Sequence, residues 1–113
     1  MDTKFSNNKL RKCANDDSYA IRKLGAKRAK LYKARLDDFH DAASLEDLRH
    51  VPGNYHELSQ NRKGQLACNL DQPYRLIFKP QENPAPIDGN GKLEWEKVLS
   101  VNVLEIINYH KEK

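Results

Sequence analysis

The second half of the chain contains imidazole, guanidinium, amine and phenol side chains that could carry chemistry, namely His56, Arg62, Lys63, Arg75, Tyr109 and His110. Arg75 is the most informative, because it interrupts the apolar segment 74–78, where a guanidinium must face a polar surface or a partner anion. Imidazoles transfer protons near neutral pH, and guanidinium groups stabilise the negative charge that develops on a reacting phosphate. The set suits metal-free RNA cleavage, although each side chain also has a plain structural explanation, such as a solvated turn or a chain end.

Signatures of several other chemistries are missing. The sequence contains no GxGxxG, GxxxxGK[ST], HExxH or GxSxG motif, which argues against dinucleotide, P-loop, zincin and hydrolase-elbow sites. The histidines lack metal-ligand spacing, and Cys13 and Cys68 form no CxxC pattern. We therefore expect no metal and no cofactor, with Cys68 in a strand core and Cys13 incidental. The first residues resemble no secretory signal and no stretch could span a membrane, so a cytoplasmic chain is expected.

Charge and length favour a single basic domain over residues 1–113. Twenty Lys and Arg against sixteen Asp and Glu give a net charge of +4, which is compatible with nucleic-acid binding or simply with solubility. The excess lies in the first half, in a run of seven cations without an intervening acid: Arg22, Lys23, Lys27, Arg28, Lys30, Lys33 and Arg35. The run is either a solvated helix face or a surface for RNA or an acidic protein.

The order of elements predicts an α+β fold with an antiparallel sheet. Apolar residues recur at helical spacing over 16–43, with Asp16 or Asp17 as the cap and Gly25 as a kink or a division. A shorter helix is predicted from Ser44, with Asp47 completing a capping box, to the Pro52-Gly53 pair. Strand-like segments follow at 55–58, 65–70, 74–79 and 98–107, and Phe5 weakly suggests the beginning of another strand. Residues 80–92, rich in Pro and Gly, are predicted to form an exposed loop.

Several of these segments occur in the order typical of one protein family. They are Ala43–Arg49, Pro52-Gly53, Tyr55–Leu58, Asn61–Gln65, Pro73–Phe78 and Glu105–His110. Together they resemble the HigB-type killer proteins, toxins of the RelE/ParE superfamily, over about residues 17–110. The resemblance implies two N-terminal helices packed on a twisted antiparallel sheet.

The resemblance also implies an activity and its partners. It points to a toxin of a type II toxin–antitoxin module: a metal-independent endoribonuclease that cleaves translated mRNA in the ribosomal A site and is neutralised by a HigA-like helix-turn-helix antitoxin. By position in the motifs, the catalytic residues are His56, Arg75, Tyr109 and His110, and the RNA-binding residues are Arg62, Lys63 and Asn108. The motifs leave open which histidine is the acid and which the base.

Two departures from the family pattern keep other functions in view. Asn108 replaces an aspartate before Tyr109, and Ser59 stands where a basic residue is usual. Asn108 can accept a hydrogen bond but cannot supply charge to His110. The alternatives are a ParE-like inhibitor of DNA gyrase, which would lack the histidine set, and a decayed member that binds RNA or an antitoxin without catalysis.

Overall fold

The computed structural model describes residues 1–112. Strand β1 (Asp2–Phe5) precedes helices α1 (Asn8–Asn15), α2 (Asp17–Leu24) and α3 (Ala26–Asp41). Strands β2 (His56–Glu57), β3 (Leu66–Asn69), β4 (Tyr74–Pro80) and β5 (Ser100–Asn108) follow, and the described chain ends in α4 (Tyr109–Glu112). One-turn 3₁₀ helices occupy Leu45–Leu48, Gln60–Arg62 and Trp95–Lys97. The predicted α+β class is confirmed.

The five strands form one mixed sheet in the order β1-β5-β4-β3-β2. Neighbours from β5 to β2 pair antiparallel, as predicted, but β1 pairs parallel with β5. Phe5 ends β1, opposite Val103, and does not begin a strand. A parallel neighbour needs a long connection. Here the helices and the other three strands lie between β1 and β5 along the chain, so local pattern alone could not show the pairing.

Three helices, rather than two, lie between β1 and β2. Gly25 divides the predicted long helix, because its φ of +86° is a conformation that glycine adopts without a steric penalty. Asp16 caps α2 by accepting a hydrogen bond from the Tyr19 N–H at 3.0 Å, as predicted. Helix α1 was not predicted, and it buries Cys13, which is 2% exposed. The view of Cys13 as incidental is therefore wrong, since the thiol is part of the core.

The helix predicted from Ser44 is only a single 3₁₀ turn, Leu45–Leu48. Ser44 makes no side-chain capping hydrogen bond; instead the Asp47 carboxylate accepts one from the Ala43 N–H at 2.8 Å. The long connection after β4 contains an isolated bridge between Ile87 and Leu93. Side chains at 81–92 are exposed or partly exposed.

The core lies between the helices and one face of the sheet. Phe39 of α3 packs edge-on against Phe78 of β4 and Tyr55, with ring centroids 4.9 and 6.0 Å apart. Cys68 is fully buried among them, as predicted for a strand core. Within residues 1–112, no helix is both long and apolar enough to cross a membrane.

Helix α3 is tied to the turn between β3 and β4. Arg28 donates two hydrogen bonds to the Asp71 carboxylate, at 2.9 and 3.0 Å, and its guanidinium lies 3.4 Å from the centroid of the Tyr74 ring. Arg35 donates to the Asn69 carbonyl at 2.7 Å. These contacts hold the start of β4, which carries Arg75, at a defined place relative to the helices.

We expect Asp71→Asn to lower the free energy of unfolding by about 1–2 kcal/mol at neutral pH, because the partly buried Arg28 loses its charged partner. The Arg28 hydrogen bonds lower the pKa of Asp71, so this stabilisation is present above the ordinary carboxyl pKa and is lost as the pH falls through the lowered value. Urea unfolding followed by the single, buried Trp95 measures it.

The matched control is Asp37→Asn, which removes an exposed carboxylate from α3, the helix that carries Arg28. The difference between wild type and Asp71→Asn should shrink as the pH falls from about 7 to about 2. A difference that stays constant with pH would contradict the ion-pair explanation.

Candidate functional site

A groove of about 340 Å³ lies on the face of the sheet opposite the helices. It brings together four of the side chains singled out in the sequence: His56, Arg62, Arg75 and Tyr109. Ile77 and Ile107 also line it, as do the side chains and backbone at Glu57–Ser59 and Asn61. We call this feature the site groove.

Strand register explains why residues far apart in the chain meet there. Arg75 lies opposite Asn69 on one side and Ile107 on the other, while Ile77 lies opposite Ala67, which in turn pairs with His56. Alternate residues of a strand share a face. Leu76 and Phe78 therefore point into the core, and Arg75 and Ile77 point into the groove. Arg75 thus lies on the polar face of an otherwise apolar strand.

The His56 ring is held in one tautomer by the backbone. Its Nδ1 lies 2.7 Å from the carbonyl oxygen of Asn54. A carbonyl only accepts hydrogen bonds, so Nδ1 carries the proton in the neutral ring and Nε2 keeps its lone pair. Asn54 adopts a positive φ of 52°, which asparagine tolerates. Asn54 directly follows Pro52-Gly53, and this turn signal could have revealed that its carbonyl lies close to the His56 ring.

Arg75 and Tyr109 form a stacked pair in the site groove. The guanidinium carbon lies 3.7 Å from the centroid of the Tyr109 ring. The Tyr109 N–H donates to the Pro73 carbonyl at 2.8 Å, which extends the β4–β5 pairing to this residue. The buried Nε of Arg75 has no hydrogen-bond partner among the described residues. Because this nitrogen is buried, an anion entering the groove would meet the rest of the guanidinium, which lines the groove.

Arg62 already has partners within the protein. One of its terminal nitrogens donates to Gln65 Oε1 at 2.9 Å and to Glu105 Oε2 at 3.2 Å. Glu105 lies opposite Ile77 at the edge of the site groove, and its side chain is 46% exposed. Sequence reasoning missed Glu105, since nothing local connects it with an arginine in another part of the chain.

Three further residues singled out in the sequence lie beside the groove. Lys63 is exposed and lines a neighbouring cavity of about 420 Å³. Asn108 Oδ1 accepts a hydrogen bond from the His110 N–H at 3.1 Å, so it turns the chain where β5 ends. His110 is exposed, with its ring centroid 6.4 Å from that of Tyr109. His110 therefore lies next to a lining residue without belonging to the lining itself.

Trp95 supports β2. The sequence analysis did not single it out, since the only sequence signal was that it is the single tryptophan. Its indole N–H donates to the Glu57 carboxylate at 2.9 Å. The Arg49 guanidinium lies 4.0 Å from the centroid of the Trp95 ring. These contacts fasten the short edge strand that carries His56.

Five cations of the run on the helices fall into two groups. Arg28 and Arg35 bond to the β3–β4 region, and Lys33 pairs with Asp17. Arg22 and Lys23, in contrast, are exposed and lie with Lys12 of α1 within 4.6–5.6 Å of the centroid of the Tyr19 ring. No three His, Cys, Asp or Glu side chains of residues 1–112 are grouped so as to hold a metal ion.

Comparison with known proteins identifies the fold. No protein-family model matches the sequence, and no curated protein is similar to it. The arrangement of helices and sheet is similar to that of solved toxin–antitoxin complexes. Two solved structures that share it are the YoeB–YefM complex and the heterotetrameric YoeB–YefM toxin–antitoxin complex, both from Staphylococcus aureus.

The similarity covers nearly the whole chain. The first structure has a TM-score of 0.51 and 15% identity over 94% of this chain and 93% of the matched chain. The second has a TM-score of 0.50 and 15% identity over 93% and 92%. At this identity the similarity shows the fold.

Proposed function

We propose that this protein is the toxin of a type II toxin–antitoxin module and acts as an endoribonuclease on mRNA being translated. The observation that carries the proposal is the site groove, where an imidazole, two guanidinium groups and a phenol from four parts of the chain meet. These groups suffice for cleavage by proton transfer and charge stabilisation. The RelE-family fold and the ordered HigB-like motifs support the same class.

His56 is the general base in this proposal. RNA cleavage begins when the 2′-oxygen loses its proton and attacks the adjacent phosphorus, giving a 2′,3′-cyclic phosphate and releasing the 5′-oxygen. The Asn54 carbonyl fixes the Nδ1 proton, so Nε2 is the atom that accepts a proton in the neutral ring. This tautomer supports the proposal that His56 is the base and His110 the acid.

Arg75 stabilises the additional negative charge on the phosphate as the 2′-oxygen attacks. Its stack on Tyr109 fixes the plane of the guanidinium, which lines the groove. A donor that is already oriented requires little reorganisation when charge develops. Tyr109 is therefore a positioning residue for Arg75 as well as a surface next to the RNA.

His110 is the general acid that protonates the leaving 5′-oxygen. Asn108 and Tyr109 hold it at the end of β5, beside the site groove. The backbone N–H of His110 donates to Asn108 Oδ1, and an amide oxygen accepts this hydrogen bond as a carboxylate oxygen would. The departure from aspartate at this position therefore leaves the turn intact.

Exposed cations away from the groove suit a contact with ribosomal RNA. The cluster around Tyr19, formed by Lys12, Arg22 and Lys23, is better suited than Arg28 and Arg35, which are occupied within the fold. Binding through such phosphate contacts weakens as salt is added. The proposed partners are thus the ribosome, its mRNA and a HigA-like helix-turn-helix antitoxin, all in the cytoplasm, with Lys63 holding RNA beside the groove.

The decisive experiment is a transcriptome-wide map of new RNA 5′ ends shortly after induction. We expect wild type to produce cuts within translated codons and His110→Ala, at matched protein level, to produce about 10²–10⁴-fold fewer, because the leaving oxygen is no longer protonated. Growth arrest with DNA breaks and no new RNA ends would replace this proposal with a gyrase inhibitor. Neither arrest nor cuts would leave a binding protein on a toxin fold.

A further inference from the structure

Glu105 places a negatively charged carboxylate beside Arg62 in the site groove, although the proposed substrate, RNA, is itself negatively charged. Its Oε2 is 3.2 Å from the Arg62 nitrogen that also donates to Gln65. Arg62 lines the site groove, and its side chain is only 20% exposed, so few directions remain from which a ligand can reach it. Glu105, in contrast, is 46% exposed on the open face of the sheet.

A phosphate and Glu105 need the same donors. Guanidinium groups bind phosphate and carboxylate oxygens with the same geometry, so one Arg62 N–H cannot fully satisfy both. The carboxylate charge also repels a phosphate brought into the groove. Because the pair is partly solvated, its net stability is small, and a well-placed phosphate can displace the carboxylate.

We propose that Glu105 competes with the RNA backbone for Arg62 and thereby weakens binding of single-stranded RNA that is free in solution. This inference rests on the proposed function of the site groove. Free RNA must displace the carboxylate using groove contacts alone. RNA held on the ribosome is delivered with the help of contacts outside the groove, so the same competition matters less. Glu105 is then a specificity-determining residue that acts through Arg62.

Glu105→Gln tests the proposal, because the amide keeps a hydrogen-bond acceptor for Arg62 and removes only the charge. The probe is a fluorescent 2′-O-methyl RNA octamer, whose blocked 2′-oxygen prevents cleavage, with affinity measured by fluorescence anisotropy. We expect about threefold to tenfold tighter binding than wild type. The dependence of log K on log salt should also steepen by about 0.7, one additional phosphate contact on a single strand. A change that merely altered stability would not move that slope.

Two further variants make the result specific. Glu96→Gln makes the same charge change at an exposed residue away from the groove and should leave affinity within about twofold of wild type. In an Arg62→Gln background, Glu105→Gln should not increase affinity for the octamer, because the guanidinium for which carboxylate and phosphate compete is absent.

The outcomes separate this inference from the proposed function. Equal binding by wild type and Glu105→Gln, or weaker binding by the variant, overturns the inference and leaves the RNA groove standing. A gain that persists without Arg62 also overturns it. If no variant binds the octamer, the inference fails, and the map of new RNA 5′ ends decides separately whether the proposed function stands.

Discussion

Replacing Arg75 with alanine is expected to lower the rate constant for cleavage of ribosome-bound mRNA by about 10²–10³-fold while changing ribosome affinity by less than about twofold. Arg75 lines the site groove and is stacked on Tyr109, and in the proposed mechanism its guanidinium stabilises the reacting phosphate. Single-turnover cleavage on programmed ribosomes, with binding measured separately by co-sedimentation, gives both quantities.

Arg49→Ala is the matched control for this experiment. Arg49 is also an arginine stacked on an aromatic ring, that of Trp95, but it does not line the site groove. We expect its cleavage rate to stay within about threefold of wild type. Equal loss of cleavage and ribosome binding in Arg75→Ala would show that Arg75 is only a docking residue.

Replacing His56 with glutamine is expected to reduce the same rate constant by about 10²–10⁴-fold. Glutamine can still donate a hydrogen bond to the Asn54 carbonyl but cannot accept the 2′-hydroxyl proton. Single-turnover cleavage on programmed ribosomes measures this loss.

His50→Gln is the control, because His50 is an exposed imidazole that does not line the groove. Its cleavage rate should stay within about threefold of wild type. If His56→Gln also cleaves within about threefold of wild type, another group is the base.

Much of this fold follows from local pattern. Gly25 divides the helical segment because a positive φ suits glycine, and Asp16 caps α2 through its own side chain. Arg75 was recognised because its charge breaks an apolar strand. In each case the physical cause lies within a few residues of the position concerned, so the sequence displays it directly.

Other features depend on which distant segments pack together. Helix α1 is short and highly charged, and only Leu10 and Cys13 of its eight residues are buried in the core. Most of its other residues are exposed. Periodicity over two helical turns is too brief a signal to separate such a helix from a loop.

The candidate site shows the same division. The sequence by itself determined the α+β class, the strand carrying Arg75 and the identity of the polar side chains at 56, 62, 75 and 109. Only the tertiary structure decided that Arg28 and Arg35 serve the fold, that the Asn54 carbonyl sets the His56 tautomer, and that Glu105 faces Arg62. Side-chain identity and periodicity are local properties. The partners of a charge depend on strand register and on the contacts of α3 with the β3–β4 turn, which join residues as far apart as Arg62 and Glu105.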